Sequence, residues 1–181
     1  MLGTTVIGND GCDAFDGRDG HDEEEEQVMD HEQPIRIAFV QAGWHRELTD
    51  RCRDAFVAET ARRLPQAVID ELGVPGALEI PLRAKRLAAT GRYDAVVACA
   101  LVVDGGIYRH EFVAQAVLDG IMRVQLESDV PVLSAVLTPQ RFHEHADHLR
   151  FFADHLATKG VEVAGACAEI VVSGRELAAT A

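Results

Sequence analysis

Asp94-Ala95-Val96-Val97-Ala98-Cys99-Ala100-Leu101-Val102-Val103-Asp104-Gly105-Gly106-Ile107-Tyr108-Arg109-His110-Glu111-Phe112 decides how this chain folds. Small and β-branched apolar residues run unbroken from Ala95 to Val103 instead of alternating with polar ones. That pattern predicts a strand buried on both faces, as in a parallel sheet covered by helices. The run stops at Asp104-Gly105-Gly106, and Arg109-His110 open an amphipathic stretch. A buried strand therefore feeds a helix N-terminus through a glycine turn. Open α/β sheets place ligands at that position, beyond the carboxyl ends of their strands. Free N–H groups and the helix dipole favour an anion there. Arg109 adds a cation, and His110 a side chain of the type that titrates near neutral pH.

The pattern repeats on either side. Ile35–Gln41 reads as a first strand, broken by Ala42-Gly43-Trp44-His45. Leu48, Cys52, Ala55 and Phe56 then recur at helical spacing. Gln66–Leu72 predicts a second strand. Val74-Pro75-Gly76 turns the chain into a helix with Ile80, Ala84, Leu87 and Ala88 on one face, ending near Gly91. After the third strand, Asp94–Val103, the residues Val113, Val117, Gly120, Ile121 and Val124 mark a helix. Val130–Leu137 predicts the fourth strand. Thr138-Pro139 supply an N-cap and a first-turn proline for a helix lined by Phe142, Ala146, Leu149, Phe152 and Leu156 and closed by Lys159-Gly160. A last helix is expected from about Val163 to Ala178. Strands alternating with helices imply parallel βαβ units, so the expected fold is a three-layer α/β/α sandwich with a four-stranded parallel sheet.

Charge divides the 181-residue chain in two. Residues 1–33 hold 11 of its 30 acidic and one of its 17 basic residues, a net of −10, which leaves −3 for the remaining 148. The expectation is a disordered acidic tail, 1–33, before a globular domain, 34–181. Asp10, Asp13, Asp16, Asp19 and Asp22 do not follow the alternating ligand spacing of a calcium-binding EF-hand loop. No basic stripe invites nucleic acid. Cys12, Cys52, Cys99 and Cys167 form no CxxC pair, and the last three fall among apolar residues, so they read as reduced core thiols. With no basic-then-apolar leader and no apolar run of membrane-spanning length, the expected location is cytoplasmic, without a membrane partner.

In a parallel sheet all four post-strand loops converge on one edge. The first offers Trp44, the only tryptophan, either stacking on a flat heterocycle or capping the sheet edge. The second offers Glu79 in a helix's first turn, either a hydroxyl-binding carboxylate or one placed there by the dipole alone. The third is the turn of Gly105 and Gly106 with Arg109, suited to bidentate phosphate binding, and His110, suited to proton transfer. The helix after the fourth strand carries His143, His145, His148 and His155. Their spacing makes no HExxH zinc motif, and no metal is expected. One of these imidazoles is expected to face the pocket.

The strings AFVQAGWH (38–45), VPGALEIPL (74–82), GRYDAVVACALVVDGGIYRHEFV (91–113) and VPVLSAVLTPQ (130–140) together resemble the 6,7-dimethyl-8-ribityllumazine synthase family, and most closely its second type, with GGIYRH in the third loop. The resemblance covers about Ile35 to Val172. It implies a flavodoxin-like fold and a transferase of the penultimate step of riboflavin biosynthesis. Such an enzyme condenses 5-amino-6-(D-ribitylamino)uracil with 3,4-dihydroxy-2-butanone 4-phosphate without a metal or organic cofactor. It further implies that Trp44 stacks on the pyrimidinedione and that Ala77, Leu78 and Glu79 bind the ribityl chain. Leu101, Val102 and Val103 would contact substrates through backbone. Ser134 would lie beside the pyrimidine, contributed by a neighbouring subunit, and His148 would face the phosphate, where many relatives carry arginine. Family members are homo-oligomers, pentamers with active sites at subunit interfaces; in the second type two pentamers commonly form a decamer, the other assembly being a 60-subunit capsid.

One departure matters. The commoner type has a proton-donating histidine after a Gly-Ala-Thr-Thr turn, and ungapped alignment sets Arg109 at its position with His110 one step beyond. A guanidinium does not readily release a proton. Arg109 is therefore expected to anchor phosphate or polarise the carbonyl, while His110 or the leaving phosphate moves protons. A flavin- or lumazine-binding shell protein with weak or lost catalysis is the alternative reading. A flavodoxin-like phosphate-ligand or signalling module gives no reason for Trp44, Glu79, Arg109 and His148 to occur together. Deleting residues 1–30 is expected to leave turnover unchanged in a steady-state assay; a loss of activity would give the tail a catalytic or assembly role.

Overall fold

All seven side chains of the third strand, β3 (Ala95–Leu101), are buried, as the unbroken apolar run requires. The computed structural model describes residues 33–180 except Tyr108, and the expected acidic tail, Gln33 apart, lies outside the described residues. The remaining elements are β1 (Arg36–Ala42), α1 (Arg46–Arg63), β2 (Val68–Val74), a 3-10 turn (Ala77–Glu79), α2 (Ile80–Ala88), α3 (His110–Ser128), β4 (Val132–Leu137) and α4 (Ala146–Ala179). The four strands are parallel, in the order β2-β1-β3-β4, with Phe39 opposite Val97 and Ala98 opposite Ser134.

Strand alternation sends side chains to two separate cores. Ile37 and Phe39 of β1 and Val97, Cys99 and Leu101 of β3 join Cys52 and Phe56 of α1 and Phe152, Leu156 and Val163 of α4. On the other face Ala38, Val40, Val96, Ala98 and Ala100 meet Ile80 and Ala84 of α2 and Ile121 and Val124 of α3. The molecule is a three-layer sandwich of flavodoxin-like type, α1 and α4 over one face and α2 and α3 over the other. Burying each of the larger side chains, Phe39 or Phe56, contributes about 1.5–3 kcal/mol. Cys52, Cys99 and Cys167 are buried free thiols. Burial pushes the Cys167 thiol up to about 12, and contact with Cys52 together with burial raises that of Cys99. Cys12 lies outside the described residues.

Three local expectations change. The second strand begins and ends two residues later than Gln66–Leu72, because Val68 N–H opens the ladder on the Ile35 carbonyl (2.8 Å). Thr138-Pro139 start no helix; residues 138–145 leave β4 irregularly, and α4 begins only after His145. Lys159-Gly160 close nothing either, since α4 runs unbroken over 34 residues. Gly160 is not a helix stop but the crossing point of α4 on α1. A β-carbon there would stand 2.9 Å from Ala55 Cβ and 3.0 Å from Phe56 N. At its far end α4 is tied to the strand starts, where Asp94 accepts from Arg36 N–H (2.7 Å) and Arg175 Nε (2.8 Å).

This crossing makes opposite predictions for two glycines of one helix. Gly160→Ala should destabilise by about 1–3 kcal/mol through overpacking despite alanine's better helix propensity. Gly174→Ala, with open space around it, should be neutral or stabilising by up to about 1 kcal/mol. Urea denaturation of the two variants reads both, and equal behaviour would contradict the crossing.

Candidate active site

With the order β2-β1-β3-β4, the chain leaves β1 toward one side of the sheet and β3 toward the other. Between the carboxyl ends of β1 and β3 the connections part, and a crevice opens where such sheets bind ligands. A cavity of about 680 Å³ occupies that position. Its walls are the loops after β1, β2 and β3, with Phe142 and Glu144 from the segment after β4; none of His143, His145, His148 and His155 lines it.

On the β1 side, Gln41 is buried, and its Nε2 donates to Thr49 Oγ1 and Asp50 Oδ1, both at 2.8 Å. That pair fastens the strand end to α1. Gly43 N–H donates to the Val74 carbonyl (2.9 Å), and the chain then reverses through Trp44 and His45. Trp44 is 69% exposed and lines the cavity, so within this chain it does not cap the sheet edge. His45 is left-handed at φ 51°, and its carbonyl accepts from Leu48 and Thr49 N–H to begin α1.

The second wall is the turn from Pro75 to Glu79. Glu79 Oε2 accepts from Gly76 N–H at 2.9 Å, which holds the carboxylate across its own turn and leaves Oε1 for a hydroxyl. Ala77 and Leu78 lie beside it in the lining. Leu101, Val102, Val103, Asp104 and Gly105 form the third wall. Asp104 Oδ1 accepts from Gly106 N–H (2.9 Å), and Gly106 has φ +74°, a conformation glycine adopts without a Cβ penalty. His110, the first residue of α3, points into the cavity side of this wall, with Nδ1 3.5 Å from Glu111 Oε2.

Four sequence-predicted site residues lie outside this lining. Gly106 is one step beyond it. Arg109 is exposed, with its guanidinium over the Phe112 ring at 5.9 Å. Ser134 is exposed in the middle of the edge strand β4, with Oγ 3.3 Å from Val136 N. His148 sits in the first turn of α4, its Nδ1 buried without a partner, 5.4 Å ring to ring from His143 and edge-on to Phe152 at 5.8 Å. Among the described residues no three His, Cys, Asp or Glu side chains are grouped to hold a metal ion.

Other lining residues were not singled out from the sequence. Asp104 could have been, from the Asp-Gly-Gly turn it anchors. Phe142 and Glu144 could not, because their segment reads as helix, whereas it is a loop that brings Phe142 edge-on to His45 at 5.1 Å. Among the described residues the lining thus contains three carboxylates, Glu79, Asp104 and Glu144, two imidazoles, His45 and His110, and no lysine or arginine.

The sequence model of the family described as 6,7-dimethyl-8-ribityllumazine synthase matches residues 34–174. A protein of that name from Rhodococcus erythropolis is 57% identical over 151 residues, 83% of this chain and 97% of the relative. A 6,7-dimethyl-8-ribityllumazine synthase 2 from Bradyrhizobium diazoefficiens is 57% identical over 77% of this chain and 84% of its own. One from Pseudomonas syringae pv. tomato is 54% identical over 78% and 84%.

Proposed function

This chain belongs to the 6,7-dimethyl-8-ribityllumazine synthase family and is a transferase of riboflavin biosynthesis, and we propose that its cavity performs the condensation with Trp44, Glu79, Arg109 and His110 in separate roles. The observation that carries this reading is an exposed indole and a turn-anchored carboxylate lining one cavity at the switch point of the sheet. Trp44 stacks on the pyrimidinedione of 5-amino-6-(D-ribitylamino)uracil. Glu79, with the Ala77 and Leu78 backbone, takes the ribityl hydroxyls, and Leu101–Val103 meet the substrates through strand-end backbone. The glycine turn of Gly105 and Gly106, the N-terminus of α3 and Arg109 receive the phosphate of 3,4-dihydroxy-2-butanone 4-phosphate at the rim.

The chemistry needs orientation and proton transfer. The amine of one substrate attacks the ketone of the other, and loss of water leaves an imine. Phosphate departs, the resulting enol tautomerises, and the ribitylamino nitrogen closes the ring with loss of a second water. Holding two reactants in register is worth up to about 7–11 kcal/mol of the barrier, and His110 supplies acid–base help.

The protein works in the cytoplasm as a pentamer, paired into a decamer, with each cavity completed by a neighbour. Exposed apolar side chains along α2 and α3, Leu82, Phe112, Met122 and Leu126 among them, support a covering subunit, because so much apolar surface is seldom left to water. Ser134 and His148, outside this chain's own cavity, reach the neighbour's in that arrangement, and His148 then faces its phosphate.

Mixing the protein with both substrates and following lumazine fluorescence tests the reading. Turnover well above the spontaneous condensation is expected, and Glu79→Ala should lower kcat/KM roughly 10–100-fold, the value of a hydrogen bond to a charged group. Tight lumazine binding without turnover would instead make it a binding shell. Arg109→Lys should retain most activity and His110→Ala should lose about 10²-fold or more; the reverse order would exchange the two roles.

A further inference from the structure

His45 is a cavity residue that the condensation described above leaves without a role. Its left-handed backbone is uncommon for a residue with a side chain, and it stands at the N-cap of α1, where Ser, Thr, Asp or Asn ordinarily accepts a hydrogen bond from the first turn. The His45 side chain makes no such cap. A histidine is tolerated in such a turn, but the helix start does not call for an imidazole. The ring lines the cavity beside Trp44 and rests edge-on against Phe142, at 5.1 Å and 62°.

Phe142 belongs to the core under α1 and α4, whereas His110 opens α3 in the opposite layer. The cavity is therefore flanked by two imidazoles, one from each helical layer, and their surroundings differ. His110 Nδ1 lies 3.5 Å from the Glu111 carboxylate, a partner for the protonated ring. The ring neighbour of His45 is the phenyl group of Phe142. The other titratable groups on the cavity are Glu79 of the 3-10 turn, Asp104 after β3 and Glu144 before α4; Arg46 and Glu47 follow His45 on its own helix.

Resting on the synthase reading above, we propose that His45 is the general base of the phosphate-elimination step, and that His110 is the acid that protonates the departing water. A nitrogen of His45 takes the proton from the carbon next to the imine. The C–H electron pair becomes the C=C bond as the carbon–oxygen bond to phosphate breaks. The imidazolium so formed returns its proton to the terminal =CH2 of the enol, whose hydroxyl proton passes to water as the carbonyl forms. A single imidazole would have to be recharged between these steps. Two, on opposite walls, divide them.

The test uses His45→Asn, since asparagine tolerates the left-handed backbone, with His45→Gln as a second variant, and both substrates, the ketone carrying either hydrogen or deuterium at the carbon next to its carbonyl. For the wild type, kcat should fall at low pH as the base protonates. His45→Asn should lose about 10²-fold or more in kcat, lose that acid limb, and show a larger deuterium isotope effect because elimination becomes limiting. Quenching of Trp44 fluorescence by lumazine should give an unchanged Kd. A variant that matches the wild type within twofold, or one that is slower with an unaltered acid limb and isotope effect, would overturn the role of His45 and leave the synthase standing. No wild-type turnover at all would overturn both.

Discussion

Everything in this molecule follows from the double-sided burial of β3. Seven consecutive buried side chains can be covered only if helices lie over both faces of the sheet, because successive residues point in opposite directions. β3 must therefore be an inner strand, with β1 and β4 as its neighbours. Once β1 and β3 lie side by side and their connections diverge, a crevice at their carboxyl ends is a geometric necessity. The cavity sits where the topology leaves room, and the residues that end the two strands, Ala42 and Leu101–Val103, form part of its lining.

The second constraint is the close crossing of α1 and α4. Gly160 lets the two helices approach until a side chain between them has no room, at the cost of about 1 kcal/mol of helix propensity relative to alanine. That approach seats Phe152, Leu156 and Val163 in the core with Phe56. It also leaves residues 138–145 as a free connection over the sheet edge. Phe142 packs from that connection onto His45 and Phe152, so one side of the cavity is shaped by the start of a helix 34 residues long.

The electrostatics of the cavity are unusual for a phosphate substrate. Carboxylates and imidazoles face inward, and Arg109 turns outward over Phe112. A pocket so lined favours a neutral polyol and a flat heterocycle over an anion. It is compatible with the proposed division in which this chain holds the heterocyclic substrate and the phosphate is met at the rim.

Much of this was legible in the sequence. Continuous apolar runs, helical spacing and glycine turns depend on neighbours a few residues apart, so the four strands, their parallel order of βαβ units and the convergence of Trp44, Glu79 and His110 on one edge could be derived from local chemistry and chain topology. What local pattern could not decide was the meaning of a residue whose partner is far away. Lys159-Gly160 reads as a helix stop, and only the packing of α4 on α1, about a hundred residues apart in sequence, turns Gly160 into a contact point. Thr138-Pro139 reads as a helix start, whereas the segment that follows is a loop from which Phe142 packs onto His45 and Phe152. His45 was legible only as part of the loop after β1: no local pattern marks its imidazole as a cavity residue, and its contact with Phe142 comes from the tertiary structure.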